Sequence, residues 1–326
     1  MKPFKSNPIS LFICFFTGTL LLCSGPLITG CSTTQSVMKE TTKTVKRTTR
    51  NITRKIVLSD YDLKRKVGIF NFEYNAKQES GNFQEIFHQG LPEYLSNQCS
   101  GIIVVGPGDD GFLNSMATPP KVQSGLNDGY ALTVLGRQLG LNAIVTGSLE
   151  DIRLIDELQG VLWAKDTHHL LLVFIRVEVF DLRTATKILD NTFDRRIEVE
   201  DLEYRMFQQA DTNELPALNE ALKRLLTDIG DSVCDAVRDQ PWSGYITGIE
   251  DNRYIVPSGV EVGFESGEIL EVFDGSRIIE GLGGERFFVP GTKIGELEIV
   301  NISENMLEAQ LIAGGDIQKG SIVRRK

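Results

Sequence analysis

Cysteine carries the reactive chemistry of this chain. It has five: Cys14, Cys23, Cys31, Cys99 and Cys234. Cys31 closes the run Ile28-Thr29-Gly30-Cys31 at the end of an apolar stretch. Cys99 and Cys234 remain as thiols that an oxidising compartment could join. Two outcomes stay open for them, a disulfide or two buried thiols, because their separation in space is not written in the spacing.

The other chemistry-bearing residues do not assemble into a site. His168 and His169 are adjacent, so on a strand they point to opposite faces and cannot grip one metal together, and His88 is the only other histidine. With no Cys or His cluster in the body, no metal site is expected. Asp109 with Asp110, and Asp151 with Asp156 and Glu157, could supply an acid/base pair, but carboxylates are abundant here and solvated surface explains them better. Gly106-Pro107-Gly108-Asp109-Asp110-Gly111 lacks the Lys-Ser/Thr of a phosphate loop and the closing Glu of a calcium hand, so it reads as a turn. Gly281-Leu282-Gly283-Gly284 reads as a hairpin connection. No catalytic residue, cofactor or metal is assigned.

The segment before Cys31 has the layout of an export signal: Lys2 and Lys5, an apolar core from Ile9 to Cys23, then small residues. That core is shorter than the roughly 20 apolar residues of a spanning helix. Ile28 to Cys31 resembles the Leu/Ile, small, Gly/Ala, Cys signature of bacterial lipoproteins, the alternatives being a plain secreted protein or an uncleaved anchor. The resemblance implies a diacylglycerol on the Cys31 thiol and a third chain on its amine. Each buried CH₂ is worth about 0.8 kcal/mol, so three chains make attachment effectively permanent. Ser32 rather than an acidic residue follows, which favours the outer membrane.

Four segments follow: residues 1–30 as signal peptide, 31–60 as lipidated basic tether, 61–240 as an α/β domain and 241–326 as a small β module. The 326 residues, 41% hydrophobic, suffice for two domains with real cores. The net charge of −10 is unevenly placed. Seven bases between Ser32 and Lys55 face only Glu40, so the acidity sits in the body from Ile56 onward, which argues against a nucleic-acid partner. The tether is rich in Ser, Thr, Lys and Arg, composition that cannot fund a packed core. About thirty residues reach at most about 100 Å when stretched.

In the α/β domain, Lys66 to Phe72 reads as a strand and Asn82 to Gln98 as a helix with Phe83, Ile86, Phe87, Leu91 and Tyr94 on one side. Gly101 to Val105 is a second strand and Gly106 to Gly125 a loop. Asp128 caps a helix through Leu139, and Asn142 to Leu149 is a third strand. A hairpin follows, His169 to Phe180 and Ile188 to Val199, with Leu170 to Ile175 apolar enough to be covered on both faces and the even positions of the second arm polar. A helix from Asn213 to Asp239 carries an apolar stripe, Leu215 to Val237, expected to be core. Between Trp242 and Lys326 lie 14 of the 31 glycines, separating short apolar bursts as in a small barrel or sandwich, with Asp274-Gly275 as a tight hairpin turn.

Leu132 to Leu149, where a helix ending in Leu139-Gly140 runs into a strand carrying Thr146-Gly147, resembles the domain shared by the TolB amino terminus, the curli secretion channel family and the penicillin-binding-protein activators. The carboxyl-terminal stretch, with Gly259-Val260-Glu261-Val262-Gly263, Gly267 to Val272, Ile294 to Leu297 and Gly320 to Val323, resembles the SH3-like domain of flagellar assembly protein T. The resemblance implies a TolB-like α/β (α+β) domain followed by an SH3-like barrel. It also implies a non-enzymatic outer-membrane lipoprotein facing the periplasm. Its role would be assembly of a flagellar basal-body ring or related secretion structure, with envelope proteins and a homo-oligomeric ring as partners. A regulator of a peptidoglycan synthase is the alternative, and an envelope hydrolase a third. The second hairpin arm alternates wholly polar even positions with odd positions that include Asn191 and Arg195, so a transmembrane pore is not expected.

Overall fold

The computed structural model describes residues 62–76, 81–109, 112, 118–161, 163–209 and 215–326. The segments expected to be a signal peptide and a tether, with Cys31 between them, lie outside these residues.

The first part is a mixed α/β unit. Strands β1 (Arg65–Ile69), β3 (Ile102–Val105) and β4 (Ala143–Val161) run parallel, with the short β2 (Glu73–Tyr74) also beside β4. Strands β5 (Ala164–Asp181) and β6 (Thr186–Val199) continue antiparallel, giving the order β3-β1-β4-β5-β6. Helices α1 (Gly81–Gln98) and α4 (Pro216–Arg238) cover one face. Phe83, Phe87, Leu91 and Leu95 of α1 and Leu218, Leu222, Leu225, Ile229, Val233 and Val237 of α4 meet Val67, Val145, Val173, Ile175 and Val177 in one core. The stripe on α4 is therefore core, as its three- and four-residue steps require. Helix α2 (Gly129–Gln138) lies on the opposite face, where Leu132 joins Ile144, Phe180 and Leu182.

Three local readings change. Strand β4 continues to Val161 instead of ending near Leu149, and its far half pairs with β5 to the last residue, Val161↔Ala164. Leu149 to Val161 contains no turn signal, and a partner strand carries the pairing through polar positions. Leu170 to Ile175 is covered unevenly: Leu171, Val173 and Ile175 are core, while on the other face Leu170 is buried but Leu172 and Phe174 are only half-buried, Phe174 lying under the Arg153 guanidinium at 4.8 Å. A helix α3 (Asp201–Gln208), not foreseen, starts where the Glu203 carboxylate accepts from the Glu200 amide at 3.4 Å.

From Trp242 the chain forms a seven-stranded sheet. Its strands are β7 (Gly244–Tyr245), β8 (Gly248–Glu250), β9 (Arg253–Val256), β10 (Ile269–Phe273), β13 (Lys293–Ile302), β14 (Leu307–Gly314) and β15 (Ile322–Arg325). The order is β7-β15-β10-β13-β14-β9-β8. The two edge strands are separated in the chain only by Ile246 and Thr247, so the sheet must curl until its edges meet. The Ile246 amide donates to the Ser321 carbonyl on one edge and the Thr247 amide to the Ile255 carbonyl on the other, at 3.0 and 2.9 Å. Trp242, Val256, Val272, Leu297, Leu307 and Val323 fill the interior.

Asp274-Gly275 does not join two paired strands, because β10 pairs with β13 and β15. Asp274 accepts from the Ser276 amide and hydroxyl at 2.9 and 2.7 Å, opening an excursion made of β11 (Ile278–Glu280) and β12 (Arg286–Phe288). This arm reaches back to the α/β unit: the Phe288 amide donates to the Thr184 carbonyl at 3.0 Å and its ring stacks on Tyr130 with centroids 5.1 Å apart.

Candidate functional site

Helix α2 begins where the Asp128 carboxylate accepts from the Tyr130 and Ala131 amides at 3.1 and 3.0 Å, the cap expected from its position. One helical face then presents Val134, Arg137 and Gln138 to the curled sheet. Between them lies a cleft of about 610 Å³, also lined by Tyr245, Asp274 and Phe288.

Arg137 organises this cleft. Its Nε donates to the Leu182 carbonyl at 2.8 Å, Nη2 to Arg183 at 2.8 Å and Nη1 to Gly275 at 3.4 Å, so one guanidinium ties α2 to the β5–β6 turn and to the second sheet. It also lies over the Phe288 ring at 3.6 Å and the Tyr245 ring at 4.8 Å. Burial lowers its pKa from the ordinary value, yet three carbonyls and two rings offset the desolvation of the cation. Burial pushes the Tyr245 phenol up to about 12, so it stays neutral at any physiological pH.

The cleft mixes apolar and polar side chains. Its lining includes no histidine or cysteine. Its one hydroxyl–carboxylate pair is Ser276 with Asp274, and hydrogen bonds from Ser276, the backbone amide first, hold that carboxyl below its usual range, which makes it a weak base.

A second polar cluster lies on the outer face of β4–β6. The buried Glu178 carboxylate accepts from the Lys187 ammonium, from Asn127 Nδ2 at 2.6 Å, and pairs with Arg176 at 3.1 Å. Arg176 also donates through Nε and Nη2 to both oxygens of Asp190 at 3.0 Å, which holds Asp190 below the usual carboxylate range. With each charge partnered, the cluster reads as structural.

The residues singled out in the sequence are dispersed. His168 Nδ1 meets Glu198 at 2.5 Å, while His169 Nδ1 meets Asp156 at 2.7 Å and its ring stacks on Tyr204 with centroids 3.8 Å apart. Asp151 pairs with Arg153 and Glu157 with Arg196, both at 3.5 Å, so these carboxylates do not converge. Asp109 closes a local turn, accepting from the Gly106 amide at 2.7 Å; Asp110 and Gly111 lie outside the described residues. Among the described residues no group of three or more His, Cys, Asp and Glu could hold a metal ion. Nor is any helix among them long and apolar enough to cross a membrane.

Cys99, one residue past α1, and Cys234 on α4 form a disulfide, with Cα atoms 5.8 Å apart and a sequence separation of 135. Cys31 lies outside the described residues.

Sequence reasoning passed over Arg137, Arg65 and Asn142. Each is buried, and whereas Arg65 is flanked by Lys64 and Lys66, Arg137 and Asn142 sit in largely apolar segments. That mismatch was the available signal, since a buried cation or amide must find partners. Asn142 accepts from the Lys66 amide at 2.8 Å and donates to the Ser243 carbonyl at 2.5 Å, stitching β1 to the start of the curled sheet.

No protein-family model matches the chain, and no curated protein matches it. Solved structures overlap about half of it. The hypothetical protein CT253 from Chlamydia trachomatis is 12% identical over 53% of this chain and 98% of its own, with a TM-score of 0.31. Lipoprotein GNA1162 from Neisseria meningitidis is 10% identical over 52% and 99%, with a TM-score of 0.28. A minor lipoprotein from Acinetobacter baumannii is 12% identical over 53% and 92%, with a TM-score of 0.26.

Proposed function

We propose that this chain is a lipid-anchored, non-enzymatic assembly protein of the bacterial envelope, held in the outer membrane by acyl chains on Cys31. In this reading a TolB-like domain and an SH3-like module face the periplasm as one body and contribute to a flagellar basal-body ring or related secretion structure. Location rests on Ile28 to Cys31. The structural observation that carries it is the Cys99–Cys234 bond, a link that persists in the periplasm and is rare in the reducing cytosol.

The scaffold role is supported by how the two parts are joined. Arg137 and Asn142 donate across the junction to Gly275 and Ser243, while Arg65 fixes β1 to Gln240 immediately before it. Lys66 Nζ adds a bond to the Pro257 carbonyl at 3.3 Å. Such a junction favours surfaces held at fixed angles over a cleft that closes on substrate.

Capture of the acylated protein from native envelopes after cross-linking tests the role. Recovery of basal-body or secretion-ring components is the expected result. Recovery of a peptidoglycan synthase would favour the regulator, and turnover of cell-wall substrate by the purified protein would overturn a non-enzymatic role. Cys31→Ser tests the location: the variant should leave the outer-membrane fraction or remain as an uncleaved precursor, and normal fractionation would refute the anchor.

A further inference from the structure

The β4–β5 ribbon outruns the rest of its sheet. Strand β6 leaves at the pair His169↔Val199, whereas β4 and β5 stay paired to Val161↔Ala164. The pairs from Glu157↔His168 to Val161↔Ala164 therefore stand without a third strand, a projection of roughly 15–20 Å at about 3.4 Å per residue. Its end is apolar. Leu158 is 67% exposed, Val161 77% and Trp163 91%, while the chain's other tryptophan, Trp242, is 1% exposed.

A bare indole on a narrow ribbon invites a partner, and two quantities decide its kind. The three side chains offer on the order of 500 Å², well under the roughly 800 Å² per partner of a standard protein interface. A bilayer surface has no such threshold, because a wedge tethered beside it works at high effective concentration. The second quantity is reach. Strand β1 runs parallel to β4 from Val67↔Ala143, so the chain enters the sheet at the end away from Val161, at most about 70 Å from it. The thirty residues between Cys31 and Asp62 can span up to about 100 Å, enough for the acyl chains and the ribbon end to meet one membrane.

We propose that the end of the β4–β5 ribbon, centred on Trp163 with Val161, inserts into the interface of a lipid bilayer as a second, shallow membrane contact, a reading that rests on the acyl anchor. Indole suits this depth, since its ring is apolar and its N–H can meet headgroups. Lys165 and Asp166 follow Trp163 by two and three residues, so their charges stop the ribbon at the headgroups and prevent it from spanning. With no cluster of bases at the end, the contact is insensitive to salt and to anionic lipid.

The full acylated protein is reconstituted into vesicles of phosphatidylethanolamine and phosphatidylglycerol carrying brominated acyl chains, and tryptophan emission is read after flotation. Trp163 should lose most of its emission, more with shallow than with deep bromine, while Trp163→Phe, leaving only the buried Trp242, should show no quenching. Protein that floats with Trp163 unquenched would overturn the ribbon contact and leave the anchor standing. Protein that does not float would sink the anchor and the contact with it. A photoreactive side chain at position 163 that captures a protein in cells, rather than lipid, would likewise overturn the proposal.

Discussion

The Arg65 guanidinium donates twice to one carbonyl, through Nε at 3.0 Å and Nη2 at 2.8 Å to Gln240, while Nη1 donates to Leu63 at 2.9 Å. The start of the first strand is thereby fixed to the chain leaving the last helix, immediately before the curled sheet begins. Arg65→Met removes the donors from buried acceptors and should cost about 2–4 kcal/mol in chemical denaturation. Arg65→Lys should recover little of it, since an ammonium cannot reproduce the fork.

The Cys99–Cys234 bond closes a loop of 135 residues. Its loss should cost about 2–5 kcal/mol, chiefly by freeing the unfolded chain. The midpoint of urea unfolding should fall when reductant is added to the wild type, and Cys99→Ala/Cys234→Ala should start at the lower midpoint and ignore reductant.

Gly140 ends α2 at φ +69°, and a Cβ there would come within 2.5 Å of the Pro257 ring and carbonyl. Gly108, at φ +106°, has nothing within 4 Å of the same atom. Both alanine variants bear left-handed strain of about 1–2 kcal/mol, but only Gly140→Ala adds a clash costing a further ~1–3 kcal/mol. Comparing their unfolding free energies isolates the close approach of the second sheet.

Burial lowers the pKa of His88 on α1 below its ordinary 6.5, and Nε2 has no hydrogen-bond partner. In the window between the folded value and 6.5 the unfolded chain binds the proton and the folded chain does not, so stability rises with pH there and falls on acidification. His88→Gln should flatten that slope in the window below 6.5, read as the difference in unfolding free energy between variant and wild type.

Much of this architecture was legible locally. The Asp128 cap, the apolar stripes of α1 and α4 and most strands of the second sheet follow from period, punctuation and capping chemistry, which act within a few residues. The motif glycines also have local grounds with distant causes. Gly140 needs a left-handed turn, and a Cβ at Gly147 would lie 2.1 Å from the Phe72 ring. The far half of β4 was illegible for the opposite reason: Glu150 to Gly160 mixes charge and aliphatics without a clean period of two, and it becomes a strand because β5 pairs with it. The cleft was illegible too, since Arg137, Tyr245 and Phe288 are 108 and 43 residues apart along the chain.

By itself the sequence determined the Cys31 motif, the basic tether, the acidic body and the kinds of element that could form, because these depend on residue type and near-neighbour spacing. The tertiary structure alone decided three things: that Cys99 meets Cys234, that Arg137 and Asn142 tie the α/β unit to the second part of the chain, and that Trp163 stands clear at the end of a ribbon. Each is a relation between segments distant in the chain, set by packing and by the need to satisfy buried polar groups, which no local pattern encodes.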